Sequence, residues 1–354
     1  MSTADSHPTG AALIGVGMVS ATYAQALADL AGQVELTGAL GRSPRSGAAF
    51  LAKHPIGAGQ RAYETVQQVA EDPAVDFVLL TTPPNGRADI VATLAAAGKP
   101  ILMEKPVERT LVAAIGLCET CEAHGVPLGI MLQHRIRPSV RALVERQQGG
   151  TFGALRAVEI SVPWWRAQAY YDEPGRGSYE RDGGGVLISQ AIHTIDLALQ
   201  FTGPVAEVVA LSATTGFHRM ESEDFVSAGL QFAGGAVGTL FASTASFPGR
   251  TEEIILHYEN GSARLQSNLL MLDWQDGRSE TIGAAAASGA GADPMAFTSD
   301  WHRMMIEDFR DSLATGRAPL AAGRSALPAH ALIEAIEESG KTGARCAVQQ
   351  LDGE

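Results

Sequence analysis

Lys105 is the residue in this chain best placed to do chemistry. It stands in Ile101-Leu102-Met103-Glu104-Lys105-Pro106, just past an apolar run that reads as a strand and just ahead of a proline. The chain has only four lysines, Lys53, Lys99, Lys105 and Lys341. Strand ends of an open α/β sheet face the crevice where ligands bind, so an ammonium there can hydrogen-bond a substrate oxygen. A second set follows Val186. Ser189, His193 and Asp196 are spaced i, i+4 and i+7, which puts them on one face of a helix. Leu187, Ile188, Ala191, Ile192, Ile195 and Leu199 make the rest of that helix apolar. An unperturbed imidazole titrates near neutrality and suits a general base. The plainer reading is a core histidine satisfied by Asp196, since buried polar groups find partners.

A cofactor site is written at the N-terminal end. Gly15-Val16-Gly17-Met18-Val19-Ser20 follows the first apolar run and opens a helix. Gly15 permits the tight turn, and Gly17 lets a pyrophosphate approach the backbone at the helix N-terminus beside Met18 and Val19. Ser20 stands where a third glycine is usual, and a small residue there still allows close packing. An acid about twenty residues on would bind ribose hydroxyls. Here the second strand ends Ala39-Leu40-Gly41-Arg42-Ser43, with no acid. Arg42 and Ser43 suit a 2′-phosphate, so NADP(H) is favoured over NAD(H). Arg42 stacking on an adenine would fit either cofactor. Thr82, Pro83 and Asn85, at the end of a later strand, are expected to line the nicotinamide side. Glu104 is counted with the cofactor residues.

A substrate wall is expected in the long loop after residue 162. Trp164, Trp165, Arg166 and Tyr171 bring aromatic faces and hydrogen-bonding groups together, which suits a sugar ring. Packing within a core or an oligomer would use the same tryptophans. His134, in Gln133-His134-Arg135, is a further substrate candidate, and Arg135 is expected to brace the domains.

The elements that must position these residues change character along the chain. Up to residue 132, short apolar strands at 11–16, 34–40, 77–81, 100–103 and 127–132 alternate with helices, which means βαβ units and a parallel sheet. Longer alternating strands follow at 155–162, 205–213, 224–232, 236–245 and 251–258, with Gly234-Gly235 as a hairpin turn. Runs of strands without helices between them suggest an antiparallel sheet. One helix, from Val186 to Gln200, interrupts them, and two more close the chain at 301–313 and 326–339. The Ala/Gly-rich stretch 281–293 reads as a mobile loop. The fold class is therefore α/β: a dinucleotide-binding Rossmann domain over residues 1–131, then a substrate-binding and oligomerisation domain over 132–354.

Bulk composition narrows the function. Hydrophobic residues at 45% and charged residues at 18% describe a soluble globular protein. A formal net charge of −13 argues against nucleic acid or an anionic membrane as partner. Cys118, Cys121 and Cys346 form no metal-ligand set, and no metal is expected. Cys118 and Cys121 allow a redox reading, but reduced thiols of a cytoplasmic protein are the plainer one. No apolar run reaches membrane-spanning length, and Met1 to Gly10 has no apolar signal core.

Taken together, Gly15-Val16-Gly17, Thr82-Pro83-Pro84-Asn85, Glu104-Lys105-Pro106 and Gly183-Gly184-Gly185 followed by His193-Thr194-Ile195-Asp196 resemble the Gfo/Idh/MocA oxidoreductases, the glucose–fructose oxidoreductase and inositol dehydrogenase family. The likeness runs on to Phe309 and Pro319. It implies a C-terminal α/β domain with an open, mostly antiparallel sheet. It also implies hydride transfer between a nicotinamide and a sugar, glycoside or cyclitol hydroxyl, in a homodimer or homotetramer. Lys105 matches the family's catalytic lysine and His193 its histidine, with Asp196 a candidate to orient the imidazole. Two positions depart from the pattern. Ser189 replaces a frequent aspartate and cannot act as a base at neutral pH, and Arg87 stands where a histidine is frequent. A glycoside-modifying enzyme with a retained nicotinamide, or a nonenzymatic nicotinamide sensor, are the competing readings of the same residues.

Overall fold

The computed structural model describes residues 8–57, 59–285, 290–291 and 298–351. The expectations for Met1 to His7 and for residues 286–289 and 292–293 of the loop lie outside the described residues, and residues 281–283, expected in that loop, belong to a strand. Contacts divide the chain into two units. One comprises Met1–Glu108, Val112–Met131 and Thr298–Ser325; the other comprises Arg109–Leu111, Leu132–Phe297 and Ala326–Glu354. A single cut at residue 131 therefore does not describe the division, because residues 298–325 pack with the first unit.

The first unit opens with β1 (Thr9–Ile14), α1 (Ser20–Asp29), β2 (Val34–Leu40), α2 (Pro44–Lys53), β3 (Arg61–Tyr63) and α3 (Val66–Glu71). It continues with β4 (Phe77–Leu80), α4 (Ala88–Ala96), β5 (Ile101–Glu104), α5 (Leu111–Ala123) and β6 (Leu128–Met131). Its sheet has the order β3-β2-β1-β4-β5-β6, with parallel pairings. The strand order reverses at β1 and β4, the place where such sheets open a crevice at their carboxyl ends. β4, β5 and β6 are buried along their whole length, which is why they are unbroken apolar runs.

The second unit contains α6 (Pro138–Gln148), β7 (Leu155–Pro163), α7 (Gln168–Tyr171), α8 (Ile192–Thr202), β8 (Val205–Ala213) and β9 (Phe225–Phe232). β10 (Val237–Ser243), β11 (Glu253–Tyr258), β12 (Gly261–Gln266), β13 (Leu269–Trp274) and β14 (Ser279–Gly283) follow. The chain then enters α9 (Asp300–Thr315), which packs on α1 of the first unit, where Phe309 meets Phe77 edge-on at 5.6 Å. It returns through α10 (Leu327–Thr342) and β15 (Cys346–Ala347). The nine strands lie in the order β14-β13-β12-β11-β7-β10-β9-β8-β15, antiparallel except for β7 beside β10. α10 covers one face of β8. Val209, Leu211 and Val237 on this sheet are 44%, 63% and 58% exposed.

The helix expected from Val186 to Gln200 is interrupted. Leu187–Ala191 form a π-turn, and the α-helix begins only at Ile192. A π-turn inserts a residue into the helical repeat, so the i, i+4 relation of Ser189 to His193 no longer holds as for a regular helix. No helix among the described residues is long and apolar enough to cross a membrane.

Candidate active site

The glycine turn is built as its residue types require. Gly15 has φ +104°, and a Cβ there would lie 2.7 Å from Thr81 Oγ1. Thr81 holds the turn by donating to the carbonyl of Gly15 at 2.7 Å. At Gly17 a Cβ would meet nothing within 4 Å, so that side of the turn is open. Val19, with Met18 before it, leads into α1 without a side-chain cap, and no acid occupies the first turn. Ser20 N and Thr22 N donate to Gly17 O and Val19 O, and with no side-chain cap the positive end of the helix stays open to an anion such as a dinucleotide pyrophosphate. Ser20 is buried and donates to Gly17 O at 2.6 Å, so it tightens the turn. Arg42 is exposed at the end of β2. Ser43 is the N-cap of α2, exchanging hydrogen bonds with Ser46 in a capping box, and its hydroxyl is already engaged in that role. Pro83 and Asn85 are exposed at the end of β4.

Arg87 gives these strand ends their shape. It is 1% exposed. Its Nε and Nη2 donate to Thr82 O at 3.0 and 2.6 Å. Its Nη1 donates to Glu104 O at 2.6 Å, to Val107 O at 3.2 Å and to Pro106 O. One guanidinium therefore ties the loop after β4 to the loop that carries Lys105. Burial draws its pKa down to about 10, while Glu104, Glu108 and Tyr23 oppose that shift. The other lysines have local roles: Lys99 donates to Asp72 O and Val75 O, and Lys341 lies 4.0 Å from Glu337.

Glu104 faces inward, which corrects its place among the cofactor residues. Its carboxylate accepts from Tyr23 at 3.0 Å and lies 3.6 Å from His302 Nε2. Burial raises its pKa, but His302, Lys105 and Tyr23 outweigh this and hold the carboxyl below its ordinary value. The residue before Lys105 is thus an internal anchor. Neither Tyr23 nor His302 is signalled by motif or spacing.

In the second unit His193 and His134 come together. Both are buried, and their rings stack with centroids 4.9 Å apart and planes 27° apart. Asp196 does not have the role expected of it. Arg135 binds it in bidentate fashion, Nε to Oδ2 at 2.8 Å and Nη2 to Oδ1 at 2.5 Å. Both carboxylate oxygens face the guanidinium fork, a geometry no imidazole can match. Burial pushes the Asp196 carboxyl up, against the pull of Arg135. Arg135, expected to brace the domains, makes this pair within its own unit.

The turn before the π-turn rests on acids. Gly183 and Gly184 have φ +86° and +150°, and a Cβ on Gly185 would lie 1.8 Å from Glu223 O. The Glu223 carboxylate accepts from Gly185 N at 3.1 Å and Leu187 N at 3.0 Å, capping the start of the π-turn. Glu337 borders this turn and a cavity of about 380 Å³ lined also by Arg109, Tyr179, Glu334 and Lys341. Burial and the neighbouring Glu223 push Glu337 up to about 7.

The expected substrate wall divides. Trp164, Arg166 and Tyr171 are buried. Arg166 donates to Trp165 O and Gly291 O, and Tyr171 shares a 2.7 Å hydrogen bond with Thr244. These three brace the loop, as the plainer reading of the aromatics allows. Trp165 is half-buried, edge-on to the exposed Phe217 and Phe247 at 5.8 and 5.4 Å. Gln190 is one that spacing did not single out: it lies in the π-turn and donates to Tyr170 Oη at 3.4 Å. Among the described residues no three His, Cys, Asp or Glu side chains are grouped to hold a metal. Cys118 and Cys121 are buried free thiols, pushed up by burial to about 12 and about 11, which makes them poor nucleophiles.

Two stability tests follow. Arg87→Leu strands four carbonyl groups, and a loss of about 3–5 kcal/mol is expected by denaturant titration. Glu337 binds its proton more tightly folded than unfolded. Its contribution is full below the unfolded pKa near 4.5 and is lost as pH rises through about 7. Glu337→Gln is therefore expected to be more stable than the wild type at pH 8, by roughly 3 kcal/mol, and equal to it near pH 4.

Comparison with known proteins agrees with this architecture. Residues 9–132 match the model of the oxidoreductase family NAD-binding Rossmann fold, and residues 140–264 match the GFO/IDH/MocA C-terminal domain. The rhizopine catabolism protein MocA of Rhizobium meliloti is 35% identical over 161 residues, which is 45% of this chain and 49% of that protein. The match thus spans about half the length of that relative. D-apiose dehydrogenase of Paraburkholderia graminis is 25% identical over 97% of this chain and 90% of its own. The WlbA dehydrogenase of Bordetella pertussis, solved with NADH and UDP-GlcNAcA, superposes with a TM-score of 0.83 at 25% identity, covering 98% of this chain and 99% of that one. With both of its halves matched in order, the chain belongs to the Gfo/Idh/MocA family of nicotinamide-dependent oxidoreductases.

Proposed function

We propose that the protein oxidises a secondary alcohol of a sugar, glycoside or cyclitol, or reduces the corresponding ketone, with a nicotinamide cofactor. The observation that carries this reading is the position of Lys105 at the end of β5, on the same edge of the sheet as the Gly15–Gly17 turn after β1. Only β4 separates the two strands, so their ends lie about 10 Å apart. The open Gly17 and the uncapped start of α1 support pyrophosphate binding there. When bound, a nicotinamide supplies the acceptor for the hydrogen leaving the alcohol carbon. Lys105 hydrogen-bonds the alcohol oxygen and polarises it, and His193 takes the hydroxyl proton. In the reverse direction both groups donate. Asp196 acts only through Arg135, by fixing the turn that carries His134. Trp165 and Ser189 remain the candidates to touch the substrate. The carbohydrate names of the relatives, D-apiose and UDP-GlcNAcA, support this substrate class.

Arg42, with no acid beside it, favours NADP(H) over NAD(H) through the 2′-phosphate. The exposed Val209, Leu211 and Val237 support burial of that sheet face against a second copy, in a homodimer or homotetramer. Free thiols support a cytoplasmic setting.

The test is a screen of sugars, glycosides and inositols with NAD⁺ and NADP⁺, followed by absorbance of the reduced nicotinamide. Turnover is expected with at least one polyol, and Lys105→Ala should lower kcat by about 10²–10⁴-fold. Inactivity of the wild type on all of them overturns the reading. NADP⁺ should be preferred, and Arg42→Ala should remove that preference; a wild type that prefers NAD⁺ removes the phosphate from Arg42. In sedimentation, Leu211→Glu is expected to give a smaller species than the wild type.

A further inference from the structure

We propose that His134 and His193 hold one proton between them, so that His134 is a positioning residue that sets the charge of His193. This deepens the reading of His193 as the proton acceptor and rests on it. The rings stack at 4.9 Å and 27°, and both side chains are buried. Two imidazolium charges at that separation repel, at an effective dielectric constant of about 20, enough to displace a titration by about two to three pH units. One imidazolium against one neutral ring carries no such penalty. The pair therefore accepts a first proton readily and a second only at much lower pH, and the two steps belong to the pair.

The stack is held from outside the rings. Arg135 follows His134 in the chain, and Asp196 lies one helical turn after His193. Their bidentate contact, with side chains 4% and 2% exposed, pins the 3₁₀ turn Gln133–Ile136 to α8 beside the stacked rings. The pair contributes one charge of each sign and so adds no net charge beside the imidazoles. Other charged groups on elements packed against α8 also have fixed partners. Arg137 pairs with Glu252 at 3.2 Å and Glu159 with His257 at 3.0 Å. On β11, Glu253 lies 3.6 Å from Arg264. On α10, His330 bonds Ala326 O, Glu334 accepts from Leu111 N, and Glu337 faces Lys341. These charges are common to the wild type and to a His134 variant, so a difference between the two reports on His134.

The consequence for proton transfer has a definite sign. His193 must be neutral to accept a proton from an alcohol. With His134 beside it, full protonation of His193 is deferred to lower pH, and the neutral form persists where an isolated imidazole would be charged.

The experiment follows the Cε1–H signals of the histidines, in full-length protein labelled with ¹³C at that position, from pH 3 to 8.5 without substrate. His193→Asn and His134→Asn assign the two signals. In the wild type His193 is expected to titrate in two steps. In His134→Asn it should titrate in one step, with its midpoint about one pH unit higher. His134→Phe keeps an aromatic ring in the stack and removes the charge, so the same shift is expected there. A stack that is only structural would leave the curve in place with Phe. A single-step wild-type curve, or a His193 curve unmoved in both variants, overturns the proposal. The readout needs no turnover, so failure to find an oxidisable alcohol and failure of the coupling are separate results.

Discussion

Five hydrogen bonds from one buried guanidinium govern the shape of the first unit's strand ends. Arg87 gathers the carbonyls of Thr82, Glu104, Pro106 and Val107, which lie at or just beyond the ends of β4 and β5. Loops at strand ends usually satisfy such groups with water and stay adaptable. Here a cation satisfies them from inside, at the cost of carrying a buried charge. The return is a fixed relation between the end of β4 and the residue that carries the ammonium. Glu104, held by Tyr23 and His302, fixes the same segment from the side-chain direction. Backbone and side chain of the residue before Lys105 are thus both anchored, which is what a polarising group needs if its reach is to be set within a few tenths of an ångström.

The second unit solves the same problem by different chemistry. Its histidines lie on a 3₁₀ turn and a helix that have no hydrogen-bonding ladder in common. A bidentate ion pair joins them, and a carboxylate, Glu223, caps the π-turn that leads into the helix. Buried ion pairs seldom add much net stability, but they define geometry sharply. A π-turn stores an unfavourable repeat, and Glu223 compensates by bonding its first N–H groups. The arrangement keeps a polar strip inside a core without leaving its geometry to side-chain packing alone.

Much of this was legible in the amino-acid order, and the exceptions share a cause. Parallel strands buried on both faces are unbroken apolar runs, so β1, β4, β5 and β6 announced themselves. The Gly15–Gly17 turn and the lysine before Pro106 carry their own local chemistry. What escaped was decided by residues distant in sequence. Asp196 looks like a partner for His193 by spacing, but Arg135, 61 residues earlier, offers a better fork. The π-turn depends on Glu223, 36 residues from Leu187. Arg87 stood out as a departure from the family pattern, yet nothing local said that it would be buried. β3 is three residues long with two of them exposed, too little for any periodicity to register. β12 and β13 are six-residue strands in a stretch to which the sequence assigns no element, and β14 runs into the stretch read as a loop.

The return of residues 298–325 to the first unit has a consequence for biosynthesis. The segment brings His302 to Glu104 and Phe309 to Phe77. A nascent chain that has emerged only as far as β6 has every strand of the parallel sheet but lacks the helix that packs on one side of it, against α1 and β6. The glycine turn and the Lys105 loop therefore wait, partly unsupported, while nearly the whole of the second unit is translated. A ribosome stalled or a message truncated before residue 300 would leave that apolar side uncovered, a surface for chaperones to hold.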